Sequence, residues 1–581
     1  MKNNPVKTAI IRVIKKDIGL SILLLISIIG VVLLSLIPPQ ILKIIIDQNL
    51  VQKTADKLLV LAGAYIGAIL FAGIFDFMKE AILTVLGQKI TKEIRMEMME
   101  KLEKINALFF SENTSGMVVS RFTNDVDAIN SLFTNGIIGM VIDCLKIIGI
   151  VISIWMFSEK LGIITLFLLP IIYAITRLFQ RKMLKAQVEN RILIGKVNNH
   201  ISESLKNVQM IKSYSKEEYM EKNYIGYLLD SYKTVEKVNW YDSIFPPIIQ
   251  ITRAVFISLV IILSSAQLNY LGISLGMVAA TIELISSLFK PIESLGMELQ
   301  SIQQAISGIH RVNDFIKEPE DNPKKANVTA ADIIPNRSNV RIAFNELSFQ
   351  YENGVDILKD INLSFKPGEN IAFIGRTGVG KTTLFKLIMG LLEPTNGNIT
   401  ISGFNVCDIP NSEKRKIFGY VDQNIHIVKG TIAEQISLRD ESITREQIEN
   451  ALDFVGLTDY IATLENGLDT VIISDTIFSQ GQKQLLSIAR AIVNNPPILL
   501  LDEITANLDS ITEEKIVSVL QKVSKSHTIL SISHRMSSMV ASDTVVLLEN
   551  GMVKNVGTPK QLLQSDDWYN KRVILERMTW S

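Results

Sequence analysis

Residues 375–382 read Gly-Arg-Thr-Gly-Val-Gly-Lys-Thr and fit the spacing Gly-x-x-x-x-Gly-Lys-[Ser/Thr] in full. These residue types suit one chemistry, the holding of a chain of phosphates. Gly375, Gly378 and Gly380 let the backbone curl so that its N–H groups, with those of Arg376, Thr377 and Val379, can wrap an anion. Lys381 then reaches the β and γ phosphates, Thr382 offers a hydroxyl to Mg²⁺, and Thr383 opens the helix that follows. The flanks agree: Asn370-Ile371-Ala372-Phe373-Ile374 reads as a buried strand, and residues 383–387 open a helix.

Two further strand ends supply hydrolytic groups. Pro497-Ile498-Leu499-Leu500-Leu501-Asp502-Glu503 is the continuous apolar run of a strand buried on both faces, and it ends in two carboxylates at the ligand edge of a sheet. Asp502 is expected to hold magnesium and Glu503 to polarise the attacking water. A second run, Thr528-Ile529-Leu530-Ser531-Ile532-Ser533, ends at His534, where an imidazole can reach a γ-phosphate. Lys381, Glu503 and His534 are therefore the expected catalytic groups.

Such strand ends need a sheet to align them. From residue 340 to 581, short β-like runs alternate with helical ones, the pattern of an α/β P-loop domain. The preceding stretch, 317–339, is dominated by proline and charge and reads as a linker. Before it the composition changes. The chain is 48% hydrophobic, with a mean hydropathy of +0.27, and nearly all its long apolar runs lie in residues 1–316. Six of them, at about 19–46, 58–86, 134–157, 161–180, 244–267 and 274–298, reach the roughly 20 residues a bilayer span needs. The expected fold is an all-α six-helix transmembrane domain followed by the α/β nucleotide domain, with the lipid bilayer as a partner.

The first span is preceded by Lys2, Lys7, Arg12, Lys15 and Lys16, but Leu20–Ile46 is too long for a signal-peptide core, so it is read as a retained helix. Loop charge sets the orientation. Residues 89–130 and 181–240 are rich in Lys and Arg, whereas 47–57, 158–160 and 268–273 are short and poor in them. The N-terminus, both long loops and the nucleotide domain are thus expected in the cytoplasm, in the cytoplasmic membrane. Ile90, Ile94, Met98, Leu102 and Ile105 keep helical spacing, so spans 2 and 3, and likewise 4 and 5, should run on beyond the bilayer as cytoplasmic tips.

Asp76, Lys79, Glu80, Asp143, Lys146, Arg253 and Glu283 fall within the spans. Arg253 and Glu283, nearer mid-span, are open to two readings, a polar path or structural pairing. Asp76, Lys79 and Glu80 sit toward one end and are expected to pair or snorkel. Lysine plus arginine (59) balances aspartate plus glutamate (59), which argues against general nucleic-acid binding. Cys144 and Cys407 lie in different halves, which argues against a disulfide framework.

With these motifs in place the whole chain resembles the ATP-binding cassette (ABC) transporters, specifically exporters in which six helices are fused to one nucleotide domain. Tyr351, in Ser348-Phe349-Gln350-Tyr351, matches the aromatic that stacks on adenine. Gln423, in Tyr420-Val421-Asp422-Gln423, matches the glutamine that senses Mg²⁺. Ala506-Asn507-Leu508-Asp509 resembles the loop that crosses to a partner, and Gly116–Ile129 resembles the first intracellular coupling segment. Where the family has Leu-Ser-Gly-Gly-Gln, this chain has Phe478-Ser479-Gln480-Gly481-Gln482: Ser479, Gly481 and Gln482 are kept, and Gln480 replaces a glycine.

The resemblance implies ATP and Mg²⁺ as ligands and ATP hydrolysis that drives export. It also implies a second half-transporter, because each family site sandwiches ATP between the phosphate loop of one subunit and the signature of the other. An intact Glu503 beside an altered signature favours a heterodimer; the alternative is a homodimer that tolerates Gln480. The substrate is expected to be amphipathic or hydrophobic, with a drug, a lipid and a peptide all open. A membrane sensor that uses ATP without net transport is the rival reading.

Overall fold

The computed structural model describes residues 4–51, 57–266, 274–320, 328–335, 340–351, 354–472, 477–504, 510–533 and 542–579. The chain forms two compact units: Met1–Glu103 with Asn113–Glu318, and Lys104–Glu112 with Pro319–Ser581.

The first unit is helical. Its elements are α1 (Pro5–Lys16), α2 (Ile18–Ser35), α3 (Ile37–Ile44) running into a π-helical turn (Ile45–Leu50), α4 (Leu58–Leu102), α6 (Ser115–Ser120), α7 (Val126–Ser131), α8 (Ile138–Phe157), α9 (Glu159–Lys206), α10 (Val208–Ser213), α11 (Glu217–Ala266) and α12 (Leu275–Lys317); α5 (Ala107–Glu112) belongs to the second unit. Among the described residues, six helical stretches are long and apolar enough to cross a membrane. Helix is the form lipid demands of such sequences, since every backbone polar group must be satisfied within the segment. The helices α4, α9, α11 and α12 hold 45, 48, 50 and 43 residues. At 1.5 Å per residue they are roughly 65–75 Å long, more than twice a ~30 Å hydrocarbon core, so they extend beyond it as the periodicity of residues 90–105 predicts.

Local chemistry explains the breaks. Pro38 and Pro39 do not end the first span; they open α3, where the missing N–H is spare, and both are buried. Ser158 alone separates α8 from α9. The end of the first span is tied to the start of α12 through Asp47, whose carboxylate accepts from the Gly276 N–H (2.8 Å) and the Ser274 hydroxyl (2.5 Å). The expected pairing of Asp76, Lys79 and Glu80 is present: Lys79 Nζ lies 2.7 Å from Asp76 and 3.1 Å from Glu80.

The second unit carries two main sheets. The strands are β1 (Ile342–Gln350), β2 (Asp356–Phe365), β3 (Asn370–Gly375), β4 (Asn396–Ile401), β5 (Phe404–Asn405), β6 (Phe418–Val421), β7 (Gly430–Thr431), β8 (Val471–Ile472), β9 (Ile498–Asp502), β10 (Thr528–Ile532), β11 (Thr544–Glu549) and β12 (Met552–Gly557). An antiparallel sheet runs β2-β1-β4-β5, and a larger one runs β12-β11-β3-β10-β9-β6. In the larger sheet β11, β3, β10, β9 and β6 are parallel, and only β12 is antiparallel. Successive residues of its central strands enter different cores. Ile498 and Leu500 join the cluster shared with β1 and β2, while Leu499 and Leu501 join a helical cluster on the other face. Burial on both faces is why these strands read as unbroken apolar runs.

Lys104–Glu112 also packs within this second unit. The Asn106 N–H donates to Pro319 O, Ile105 bridges Glu320, and Leu108 packs against the core that contains β1 and β2. Gly116–Ile129, the stretch that resembles a coupling segment, folds within the first unit, with Val126 and Ile129 fully buried and Asp125 held by the Arg311 guanidinium of α12.

Candidate nucleotide site

The phosphate loop is the turn between β3 and α13 (Lys381–Ile388). Gly378 (φ +85°) and Gly380 (φ +99°) occupy left-handed backbone that a side chain would strain. A Cβ on Gly380 would also strike Ile357 and Leu358. The loop can close only with glycine there, and its closure directs Lys381 back over itself: the buried Lys381 Nζ donates to Gly375 O (2.9 Å) and Arg376 O (3.1 Å). Burial pulls the Lys381 ammonium below its usual range, opposed by the nearby Glu503 and Asp502 carboxylates.

The order β3-β10-β9 brings the end of β9 beside this loop. Asp502 is 2% exposed, lies beside the Thr382 hydroxyl, and keeps its Oδ2 buried with no hydrogen-bond partner. Burial, with Glu503 and Asp422 adding like charge, pushes the Asp502 carboxyl up to about 6, although Thr382 and Lys381 pull the other way. A buried anionic oxygen beside a threonine hydroxyl fits a hard cation, so the donor set suits Mg²⁺. Glu503 follows at φ +46°, a left-handed conformation that costs a non-glycine residue about 1 kcal/mol or more. Its Oε2 accepts from Gln423 Nε2 at 2.6 Å. Gln423 itself follows β6, the edge strand next to β9. Asp422, which the motifs leave unassigned, adds charge to Asp502 and accepts from the Tyr420 hydroxyl at 3.3 Å; its place one residue before Gln423 was the available signal.

Tyr351 follows β1 directly. Its ring meets Phe349 edge-on at 4.9 Å, and its hydroxyl lies 3.3 Å from Thr383 Oγ1, so it is tethered to the phosphate-loop helix. It also lines a cavity of about 320 Å³ with Asn106, Leu108 and Glu393. A separate cavity of about 370 Å³ opens against Arg376, Thr377, Gly378 and Val379, bounded by Asn550 and Trp568.

The altered signature begins α14 (Gln480–Ile492). Ser479 and Gln482 form a reciprocal cap: the Gln482 N–H donates to Ser479 Oγ, and Gln482 Oε1 accepts from the Ser479 N–H. Gly481 is buried against Thr512, with no room for a Cβ, while Gln480 is exposed. The helix is fixed by Arg490, which donates to Gln435 O (2.7 Å) and His426 O (3.0 Å). Asp509 and His534 lie outside the described residues.

The comparisons with known proteins fit this geometry. The model for the ABC transporter transmembrane region matches residues 21–292, and the model for the ABC transporter nucleotide domain matches 358–506. A putative multidrug export ATP-binding/permease protein of Staphylococcus aureus is 30% identical over 511 residues, covering 87% of each chain. The chain belongs to the ABC transporter family. As an ABC transporter it binds ATP, and ATP hydrolysis coupled to transport is the general activity of its family. It is a multi-pass membrane protein. The uncharacterized ABC transporter ATP-binding protein YknV of Bacillus subtilis is 26% identical over 526 residues, covering 90% of this chain and 86% of that one. The fold is shared with a bacterial Atm1-family ABC exporter with ATP bound, at a TM-score of 0.76 and 23% identity, covering 96% of this chain and 97% of that one.

Proposed function

We propose that this ABC transporter is one half of an exporter that moves an amphipathic or hydrophobic substrate out of the cytoplasm by alternating access. The observation that carries the reading is the fusion, in one chain, of six membrane-spanning helices to a nucleotide unit with the loop, carboxylates and signature of an ATPase. Tyr351 stacks on adenine, the phosphate loop and Lys381 hold the phosphates, and Thr382, Asp502 and Gln423 hold Mg²⁺. Glu503 and His534 arrange water, while Ser479, Gly481 and Gln482, with Asp509, face the ATP of a second subunit. The nucleotide unit and the long helical tips lie in the cytoplasm.

A second subunit is further supported by the α9–α11 tip. Leu205 is 70% exposed and Tyr214 72% exposed, with Met210 between them also exposed. Such a cluster at a helix turn suits burial by another chain. A heterodimer is favoured. Gln480 puts a side chain where a backbone should approach the γ-phosphate, so the site using this chain's signature would mainly hold ATP, and the site built on its Glu503 would hydrolyse it.

The test is Mg²⁺-ATPase activity of the chain purified alone in lipid, with Glu503→Gln as control. Robust activity abolished by the substitution would refute the heterodimer. Bound ATP with negligible turnover would support it. Uptake of substrate into inverted vesicles, driven by ATP, separates an exporter from a membrane sensor.

A further inference from the structure

The first unit holds a carboxyl pair that no motif of the family accounts for. Asp143 lies on α8 and Glu298 on α12. The two carboxyls face each other across these helices, and the Ser294 hydroxyl, one turn before Glu298, donates to Asp143 Oδ2. Glu298 is 8% exposed, and its Oε2 is buried with no hydrogen-bond partner. The close approach is built in. Gly139 lies one turn before Asp143, and a Cβ there would stand 2.5 Å from Glu298 Oε1, so glycine is what lets the carboxyl rest against α8. Asp143 is about 20 Å along the helix from the α8–α9 turn, a depth within a ~30 Å hydrocarbon core.

Two carboxyls in contact repel when charged, and each buried oxygen without a donor is costly. Among the described residues no lysine or arginine pairs with either group; Arg253 acts on Glu293 instead. Among the described residues the pair thus has one hydroxyl donor, spent on Asp143, and no cation, so Glu298 Oε2 is left unmatched. A divalent metal is a poor fit, because it wants six or more oxygens and no group of three or more ligating side chains occurs among the described residues. A nitrogen cation with N–H donors fits better: one N–H can meet Oε2 while its charge neutralises the pair, and an alkyl tail can lie among the apolar residues of α8 and α12.

We infer that Asp143, Glu298 and Ser294 form a binding site for the ammonium group of an alkylammonium substrate. This rests on the export reading above and sharpens it to a substrate class.

The test uses the full chain in lipid nanodiscs without nucleotide, with n-dodecylammonium and its neutral counterpart dodecanol as radiolabelled probes and empty nanodiscs as blank. The wild type should prefer the cation, and Glu298→Gln or Asp143→Asn should weaken cation binding by about tenfold while leaving dodecanol binding unmoved. Equal weakening of both probes would mean a packing role, and no weakening would mean no site; either result overturns the inference. If the variants do not survive purification with ATP binding intact, carbodiimide labelling of Glu298 in the wild type decides, read by mass spectrometry. Protection by dodecylammonium but not dodecanol supports the site, and protection by neither or by both refutes it. Charge-dependent binding without ATP-driven uptake in vesicles would sink the export reading and leave the site standing. Uptake without charge-dependent binding would do the reverse.

Discussion

Among the buried carboxylate oxygens of the described residues that lack a hydrogen-bond partner, two can be set side by side: Asp502 Oδ2 in the nucleotide unit and Glu298 Oε2 in the membrane unit. Both belong to side chains less than a tenth exposed. Both have a second acidic group near them, Glu503 for the first and Asp143 for the second, and a hydroxyl stands at each pair, Thr382 beside Asp502 and Ser294 donating to Asp143. They differ in what else surrounds them. Asp502 has the Lys381 ammonium within electrostatic reach and a strand on each side of β9. Glu298 rests in a glycine-made notch of a neighbouring helix, with no cation beside it among the described residues. A rigid sheet with a resident cation can hold a carboxylate ready for a small, hard ion. Two helices without one hold a pair that waits for a charge arriving from outside.

The comparison is tested most severely at the nucleotide end. Glu503→Gln should lower ATP turnover by about 10²–10³-fold while nucleotide binding persists, the size expected for removing a positioned base. Turnover should be measured in the complete dimer under saturating Mg²⁺-ATP. Near-normal turnover would remove Glu503 from the chemistry, and with it the claim that the end of β9 is the hydrolytic edge.

Asp502→Asn separates cost from use. The carboxyl is raised to about 6, so the folded state binds its proton more tightly than the unfolded one. The stability withheld by this group is absent at pH 4, grows as pH rises toward 6 and is fully expressed above it. In the nucleotide-free protein at pH 7.5, Asp502→Asn should therefore raise the nucleotide unit's Tm by about 2–6 °C, while Mg²⁺-dependent turnover collapses. The gain should shrink on titration to pH 5. A lower Tm at pH 7.5 would mean that the buried carboxylate is satisfied in a way the geometry does not account for.

Tyr351→Ala should weaken ATP binding by about tenfold, the scale of one base–aromatic stack, with Tyr351→Phe close to wild type because it loses only the Thr383 contact. Titration with a fluorescent ATP analogue reads this directly. Equal losses in both variants would assign the tyrosine to tethering α13, not to stacking.

Most of the nucleotide site is legible from short contiguous stretches. The Gly375–Thr382 spacing sits between its strand and its helix within residues 370–388, and the runs ending at Asp502 and Ser533 are the strands β9 and β10, because a phosphate loop is local geometry. The six spans are legible for the same reason, since lipid imposes one length and one composition. The rest depends on residues far apart in sequence. Lys104–Glu112 joins the second unit through Ile105, Asn106 and Leu108, which carry no pattern beyond helix and turn. Asp143 shows itself as a charge in an apolar run, but its partner is 155 positions later, at the edge of a span, where a glutamate looks interfacial. Only the packing of α8 on α12 pairs them.

The smallest expected effect is at that pair. If Glu298 is held for a ligand, neutralising it in the unliganded protein should relieve like-charge contact with Asp143, and the amide of Glu298→Gln can donate where the carboxyl could not. The variant should therefore be more stable than wild type by about 1 kcal/mol, seen as a higher thermal midpoint in detergent or nanodiscs without substrate. Ser294→Ala should move it the other way, because it removes the donor to Asp143. A structural pair behaves oppositely at Glu298: breaking a satisfied hydrogen bond between α8 and α12 lowers the midpoint. The sign of one melting shift thus separates a site that waits for a cation from a bond that only holds two helices together.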